Sequence, residues 1–185
     1  MKPVERSEIL DYVTYGEQRD AIRPGVLAAK QQRRIIVADG TLTFLFENRD
    51  TVRYQVHEML RTEQIVKEAD IQHELSTYNE LLGSGTELGC TLLIGIDDEQ
   101  VRDEKLRAWV KLCDHLYAAV GDEKVRPTFD PRQVGDERLS SVQYLKFPVG
   151  PKAPTALGCD HPDLTVQSQL TDEQRAALQA DLDAD

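Results

Sequence analysis

The sequence predicts an α+β fold: an antiparallel sheet that includes an N-terminal β-hairpin, helices packed on one face, and an extended Pro-rich C-terminal arm ending in a short helix. Three observations lead there. The stretch RRIIVADGTLTFLFE holds two β-rich runs around Asp39-Gly40, a pair that favours the positive φ angles of a type I′ turn. Helix-period segments follow, and strand-like alternation returns in ELGCTLLIGI and SSVQYLKFP. The resulting order of hairpin, helices, strand, helix, strand and strand lacks the regular βα alternation of a parallel sheet.

Ahead of the hairpin, SEILDYVTYGEQRDAIRPGVLAAKQQ offers Ser7 as an N-cap and Pro24-Gly25 as an interruption. This predicts a short helical piece, a break and a lead-in. Within the hairpin, a two-residue turn pairs Val37 with Leu42, Ile35 with Phe44 and Arg33 with Phe46 on one core-facing side. Thr41, Thr43 and Glu47 alternate onto the other side, where Leu45 is the exception, so that side is at best partly covered.

A helix starting near Asp50 or Thr51 comes next. Asp70 is expected to cap a second one carrying the stripe Ile71, Leu75, Tyr78, Leu82, after a bend near Ala69. The Gly83-Ser84-Gly85 turn leads into a strand with Leu88, Cys90, Leu92, Ile94 and Ile96 in alternation. From Asp98 to Val120 one amphipathic helix is predicted, with Val101, Leu106, Ala108, Trp109, Leu112, Cys113, Leu116 and Tyr117 covering about half its circumference. KVRPTFD and SSVQYLKFP read as strands joined by the polar PRQVGDERL. Pro148, Pro151, Pro154 and Pro162, with Gly150 and Gly158, argue against a helix or a central strand, so an extended arm is expected there. Cys159 on that arm should be the most reactive thiol, while Cys90 and Cys113 are core. Thr171 and Gln174 have capping-box spacing ahead of Ala177, Leu178 and Leu182, which predicts a docked terminal helix. Residues 1–150 are thus expected to form one α+β domain, with 151–185 an arm and helix docking on it.

Composition narrows the function classes. The 185 residues carry a net charge of -11, which disfavours nucleic acid and anionic lipid as partners. No apolar run approaches a membrane span, and MKPVERSEIL lacks a signal-peptide h-region. Three cysteines, widely spaced and without CxxC, fit neither a disulfide framework nor a thiolate zinc site and suit a reducing cytoplasm.

The candidate polar site lies in FENRDTVRYQVHEMLRTEQI. On a helical wheel Val52, Val56, Met59 and Val66 share one face with Glu63 in its middle. Tyr54, Glu58, Arg61 and Ile65 form a second, mixed stripe, leaving Arg53, His57 and Gln64 in the wet sector. A buried lone carboxylate is costly, so Glu63 is expected to meet a partner, and Arg49 is the nearest cation. Glu58 and Arg61 are spaced to pair along the helix. Arg49, Glu58, Arg61 and Glu63 are therefore the candidate ligand-binding residues, weighed against a purely structural ion-pair network. His57-Glu58 begins like HExxH, but Arg61 stands where the second histidine belongs, so no zincin site is read. His73 and His115 read as solvated or helix-edge residues, and His161 beside Cys159 could close over a pocket. No catalytic residue, metal set or cofactor is predicted.

The same string, with IQHELSTYNELL, ELGCTLLIGI, SSVQYLKFP and GCDHPDL, resembles the ordered landmarks of a bacterial family, domain of unknown function thirty-five-oh-one. Arg49, Glu58, Arg61 and Glu63 match its pattern, while His57 departs from the more usual glutamine. The resemblance implies no catalytic residues. It does imply a genomic context of rubrerythrin and an iron-sulfur oxidoreductase, and so an association with iron, peroxide or electron-transfer systems. Two function classes follow: a non-enzymatic accessory protein docking such a redox partner through its sheet face or C-terminal arm, and a metal-dependent enzyme or small-anion-binding protein using the Glu/Arg cluster. Glu-x-x-His pairs of the rubrerythrin kind are missing from Glu58 and Glu63, which favours the accessory reading. A homo-oligomer is compatible with the sequence.

Overall fold

The Asp39-Gly40 hairpin forms as its chemistry dictates. In the computed structural model, which describes residues 1–130, 135 and 137–184, Asp39 and Gly40 have φ of 52° and 98°. Thr41 N–H donates to Ala38 O across the turn at 2.9 Å. Positive φ at both central positions is the type I′ signature, here extended by a positive φ at Ala38 as well. Strands β1 (Arg34–Val37) and β2 (Leu42–Phe46) pair with Val37 opposite Leu42 and Ile35 opposite Phe44, and Phe46 N–H reaches Arg33 O.

Before the hairpin, α1 runs unbroken over Tyr12–Gln32 with Pro24 inside it, which corrects the expected short helix and break. Asp11, not Ser7, is the cap: its carboxylate accepts from Val13 and Thr14 N–H. Pro24 removes one helical hydrogen bond, yet Pro24 and Gly25 lie on the exposed side. The opposite side, with Tyr15, Arg19, Ile22 and Val26 at helical spacing, holds the helix in place. After β2 come α2 (Arg49–Glu63) and α3 (Glu68–Asn79). The bend between them falls at Gln64, in the left-handed region with φ 52°, so Asp70 sits inside the first turn of α3 instead of capping it.

Strand β3 (Leu88–Ile94) buries Leu88, Cys90, Leu92 and Ile94 as the alternation predicts. The single helix expected over 98–120 is three elements instead: α4 (Glu99–Ala108) ends at Trp109, one turn α5 (Leu112–His115) follows, and Leu116–Val120 is strand β4. Leu116, Tyr117 and Ala118 are all buried, and a short run apolar on every side carries no periodicity to separate strand from helix. Strand β6 (Val142–Phe147) matches expectation, whereas of the strand expected over 124–130 only its start forms, in β5 (Glu123–Val125), with Thr128 in an isolated bridge to Lys146. The polar connection over 131–139 falls in part, at 131–134 and 136, outside the described residues.

The chain beyond Pro148 is not a free arm. Strands β7 (Ala156–His161) and β8 (Leu164–Gln169) form a hairpin whose two-residue turn is Pro162-Asp163, and β7 is central in a second sheet. Gly158 sits there because of Tyr117: a Cβ at Gly158 would lie 2.5 Å from Cζ of that ring. Cys159 is accordingly buried, as are Cys90 and Cys113, so its expected exposure is overturned. Helix α6 (Asp172–Asp183) has the anticipated Thr171/Gln174 capping box and buries Leu178 and Leu182.

The single expected sheet is two antiparallel four-stranded sheets, ordered β1-β2-β3-β6 and β5-β4-β7-β8. Both contribute to one core, with Leu106, Trp109, Leu112 and Cys113 from α4, α5 and their junction and Leu178 and Leu182 from α6. A second core belongs to the helices, where Val52, Val56 and Leu60 meet Ile71, Leu75 and the N-terminal Val4 and Ile9. Among the described residues no helix is long and apolar enough to cross a membrane.

Candidate functional site

The polar string that marks the sequence is the joint between β2 and α2. Asn48 caps α2, its side chain accepting from Thr51 N–H at 3.0 Å while Asn48 N–H donates to Thr51 Oγ1. Thr51 also donates to Glu47 Oε2 at 2.5 Å, and Thr91 of β3 donates to the other Glu47 oxygen at 3.1 Å. One carboxylate thus ties the start of the helix to the sheet. Arg33, at the end of α1, makes a two-pronged pair with Asp181 of α6 at 2.7 and 2.8 Å, both side chains over 90% buried.

The four candidate residues are dispersed. Arg49 does not meet Glu63; its Nη2 donates to Glu8 Oε2 at 2.5 Å. Glu58 accepts from Tyr15 Oη at 2.5 Å and from Arg19 Nε and Nη2 at 2.7 and 2.9 Å, linking α2 to α1. The Arg19 bonds, opposed in part by burial, hold the Glu58 carboxyl below its usual range. Arg61 and Glu63 are exposed at the far end of α2. The buried stripe runs Val52, Val56, Leu60, stepping by four, so it passes beside Glu63 and not through it.

His57 corrects the wheel in the other direction. Placed in the wet sector by the sequence, it is 4% exposed and stacks on Tyr15 with ring centres 4.6 Å apart. Its Nε2 accepts from Leu10 N–H at 2.9 Å, so this nitrogen is unprotonated. Burial, helped by the nearby Arg53 charge, lowers its pKa to about 4. The mixed Tyr54 and Glu58 stripe is covered by α1, as the second face of the wheel implied.

At the other end of the molecule, Asp160 of β7 accepts from both Nη atoms of Arg126 at 3.0 and 2.7 Å, with Lys124 Nζ and His115 Nδ1 at 3.3 Å. The Arg126 bonds hold its carboxyl far below the usual range. His161 meets His115 edge-on at 5.0 Å. His73 is exposed on α3. Among the described residues no group of three or more His, Cys, Asp or Glu side chains is placed to hold a metal ion.

The outer face of the first sheet carries partly exposed apolar side chains. The strand registers align Ile36, Thr43, Leu93 and Val142 in a row across all four strands. Behind it stand Arg34, Leu45, Thr91 and Tyr144. Ile36, Val142 and Tyr144 are 51%, 36% and 42% exposed. Leu27 of α1, 42% exposed, walls a groove of about 1040 Å³ over Arg34, Ile36, Leu45 and Leu93. At the hairpin end Asp39 and Asp97 are exposed and make no ion pair among the described residues. Leu45 hinted at this face; the matching signal in Leu93, Val142 and Tyr144 needed the register of β3 and β6.

No curated protein matches the chain. A crystal structure of a novel protein of unknown function from Burkholderia pseudomallei is similar at 32% identity, with a TM-score of 0.89 over 97% of this chain and 99% of that one. A family model described as protein of unknown function (DUF3501) matches residues 3–182, the span that holds the β2–α2 joint, both sheets and the capped terminal helix. This chain belongs to that family.

Proposed function

We propose that the protein is a non-enzymatic accessory protein that docks a partner protein on the outer face of its first sheet. The apolar side chains Ile36 and Val142 of the edge strands, 51% and 36% exposed, with Leu45 and Leu93 partly open between them, support the reading. Contiguous exposed apolar surface of this kind marks interaction sites more often than scattered residues do. The occupant is a partner with an apolar patch and basic groups around it, because the chain as a whole is at -11. The implied context of rubrerythrin and an iron-sulfur oxidoreductase makes a redox protein of that kind the partner to try first. The alternative, a metal-dependent enzyme or an anion site at Arg49, Glu58, Arg61 and Glu63, has less support: Arg49 and Glu58 are engaged inside the protein, and Arg61 and Glu63 lie apart in solvent.

The test is direct binding by calorimetry to purified rubrerythrin and to the iron-sulfur oxidoreductase, with the Ile36→Asp and Val142→Asp proteins beside the parent. Binding that falls at least about tenfold in either variant, and weakens with salt, supports the docking face. Binding indifferent to both substitutions, or no binding to either partner, overturns it.

A further inference from the structure

Between α3 and β6 lies a second concavity, of about 650 Å³, walled by Tyr78 and Leu81 of α3, by Phe129, and by Tyr144 of β6. Glu80 and Asp130 stand on its rim. The size is that of a small-molecule or side-chain pocket. Its character is unusual for this molecule, because three of the eleven aromatic side chains line it. Aromatic faces carry negative quadrupole potential, and they attract cations held over them within about 6 Å. The rim has the same sign. Glu80 is exposed and makes no ion pair among the described residues, and among them the one cation of the lining, Lys146, is met by Glu87 at 3.6 Å. A carboxylate or phosphate would face repulsion here, and a purely apolar ligand would leave the acidic rim without a role.

We propose that this pocket binds an organic cation, an alkylguanidinium or alkylammonium group. Its charge lies toward Glu80 and its stem lies against Leu81 and the Tyr78, Phe129 and Tyr144 rings. The inference goes beyond docking on the sheet face and stands without it. A free amine or guanidine and an arginine or lysine side chain of another protein present the same chemistry.

Isotope-labelled protein is titrated with butylguanidinium and butylammonium, followed by the amide resonances of Tyr78, Leu81 and Tyr144, with butanol and butyrate as controls of matched size. The expected result is saturable shifts at those amides with both cations, binding of butanol at least about tenfold weaker, and none of butyrate. Glu80→Gln, at an exposed position, should weaken the cations about fivefold and leave butanol unchanged. Tyr144→Ala should weaken all three. Butanol binding as tightly as butylammonium, unchanged cation affinity in the Glu80→Gln protein, or the absence of shifts at these amides overturns the proposal. Blocked arginine, N-acetylarginine methylamide, separates the sources: binding like butylguanidinium admits a protein side chain, and exclusion restricts the site to a free small cation. The Ile36→Asp protein should give the same titration as the parent, so loss of partner docking and failure of this site are read separately.

Discussion

The α1–α2 interface and the outer face of the first sheet are opposites in how they treat their side chains. At the α1–α2 interface and the start of α2 the charges meet partners from other elements: Glu58 is held by Tyr15 and Arg19, and Arg49 by Glu8. On the sheet face apolar side chains stand partly in water, Ile36 at 51% and Val142 at 36% exposed. The lesson is that a conspicuous polar string marks a joint here, while an ordinary alternation leaves the surface available for binding. Carboxylates and arginines sit beside the helical core because they connect elements far apart in sequence at points where apolar contacts alone would not fix the angle between them.

The largest effect that would break this contrast is expected at the buried pair linking α1 to α6. Replacing Asp181 by asparagine leaves the Arg33 guanidinium uncompensated, and should cost on the order of 3 kcal/mol in urea unfolding. A loss below about 1 kcal/mol would mean that these polar contacts are incidental to the fold.

His57 sharpens the comparison through pH. Its pKa is about 4 in the folded protein against an ordinary 6.5, so the unfolded chain takes up a proton first as pH falls. Its contribution is therefore intact above pH 6.5 and is lost progressively from there down to about 4. Between pH 7 and pH 5 the protein should lose about 2 kcal/mol, and the His57→Gln protein should lose much less over the same interval. Glu58, whose folded pKa is also lowered, adds acid sensitivity only below the ordinary carboxylate value of 4.5. An acid slope unaltered by the His57 substitution would place the titrating group elsewhere.

A smaller effect is expected for Glu58→Gln, which keeps an acceptor for Tyr15 but removes the charge facing Arg19. The pair is only partly shielded, with side chains 25% and 20% exposed, so a loss of about 1 kcal/mol is predicted and should shrink in high salt. The smallest effect belongs to Glu63→Gln. Exposed at the end of α2, it should change stability by less than about 0.5 kcal/mol, where a buried Glu63 would have cost several times more. A large loss would restore Glu63 to the core and undo the assignment of α2's faces.

Local chemistry made the well-read elements legible. Asp39-Gly40 sets its own backbone angles, Thr171 and Gln174 cap each other across one turn, and the alternation at Leu88, Cys90, Leu92 and Ile94 reports a face directly. Elements whose identity depends on distant neighbours were misread. Leu116–Val120 is a strand because β7 and β5 lie on either side of it, and Gly158 is tolerated in β7 because the Tyr117 ring lies over it. Pro162 argued for an extended arm without a central strand, yet it occupies the tight turn of the β7–β8 hairpin, where its fixed φ is an advantage.

For the polar string, the sequence by itself determined which side chains are ionisable, that a helix carries them, and that two of its faces need cover. Only the tertiary structure decided which charges are enclosed. An ideal wheel projected Glu63 inward and His57 outward, but α1 crosses over His57 and Glu58, and the neighbours of α2 end before reaching Glu63. The same holds for the sheet face: Leu45 looked like an isolated irregularity until antiparallel pairing brought β1, β2, β3 and β6 into one register. Periodicity fixes where a side chain points relative to its own element, and only the packing of other elements determines whether water or protein stands there.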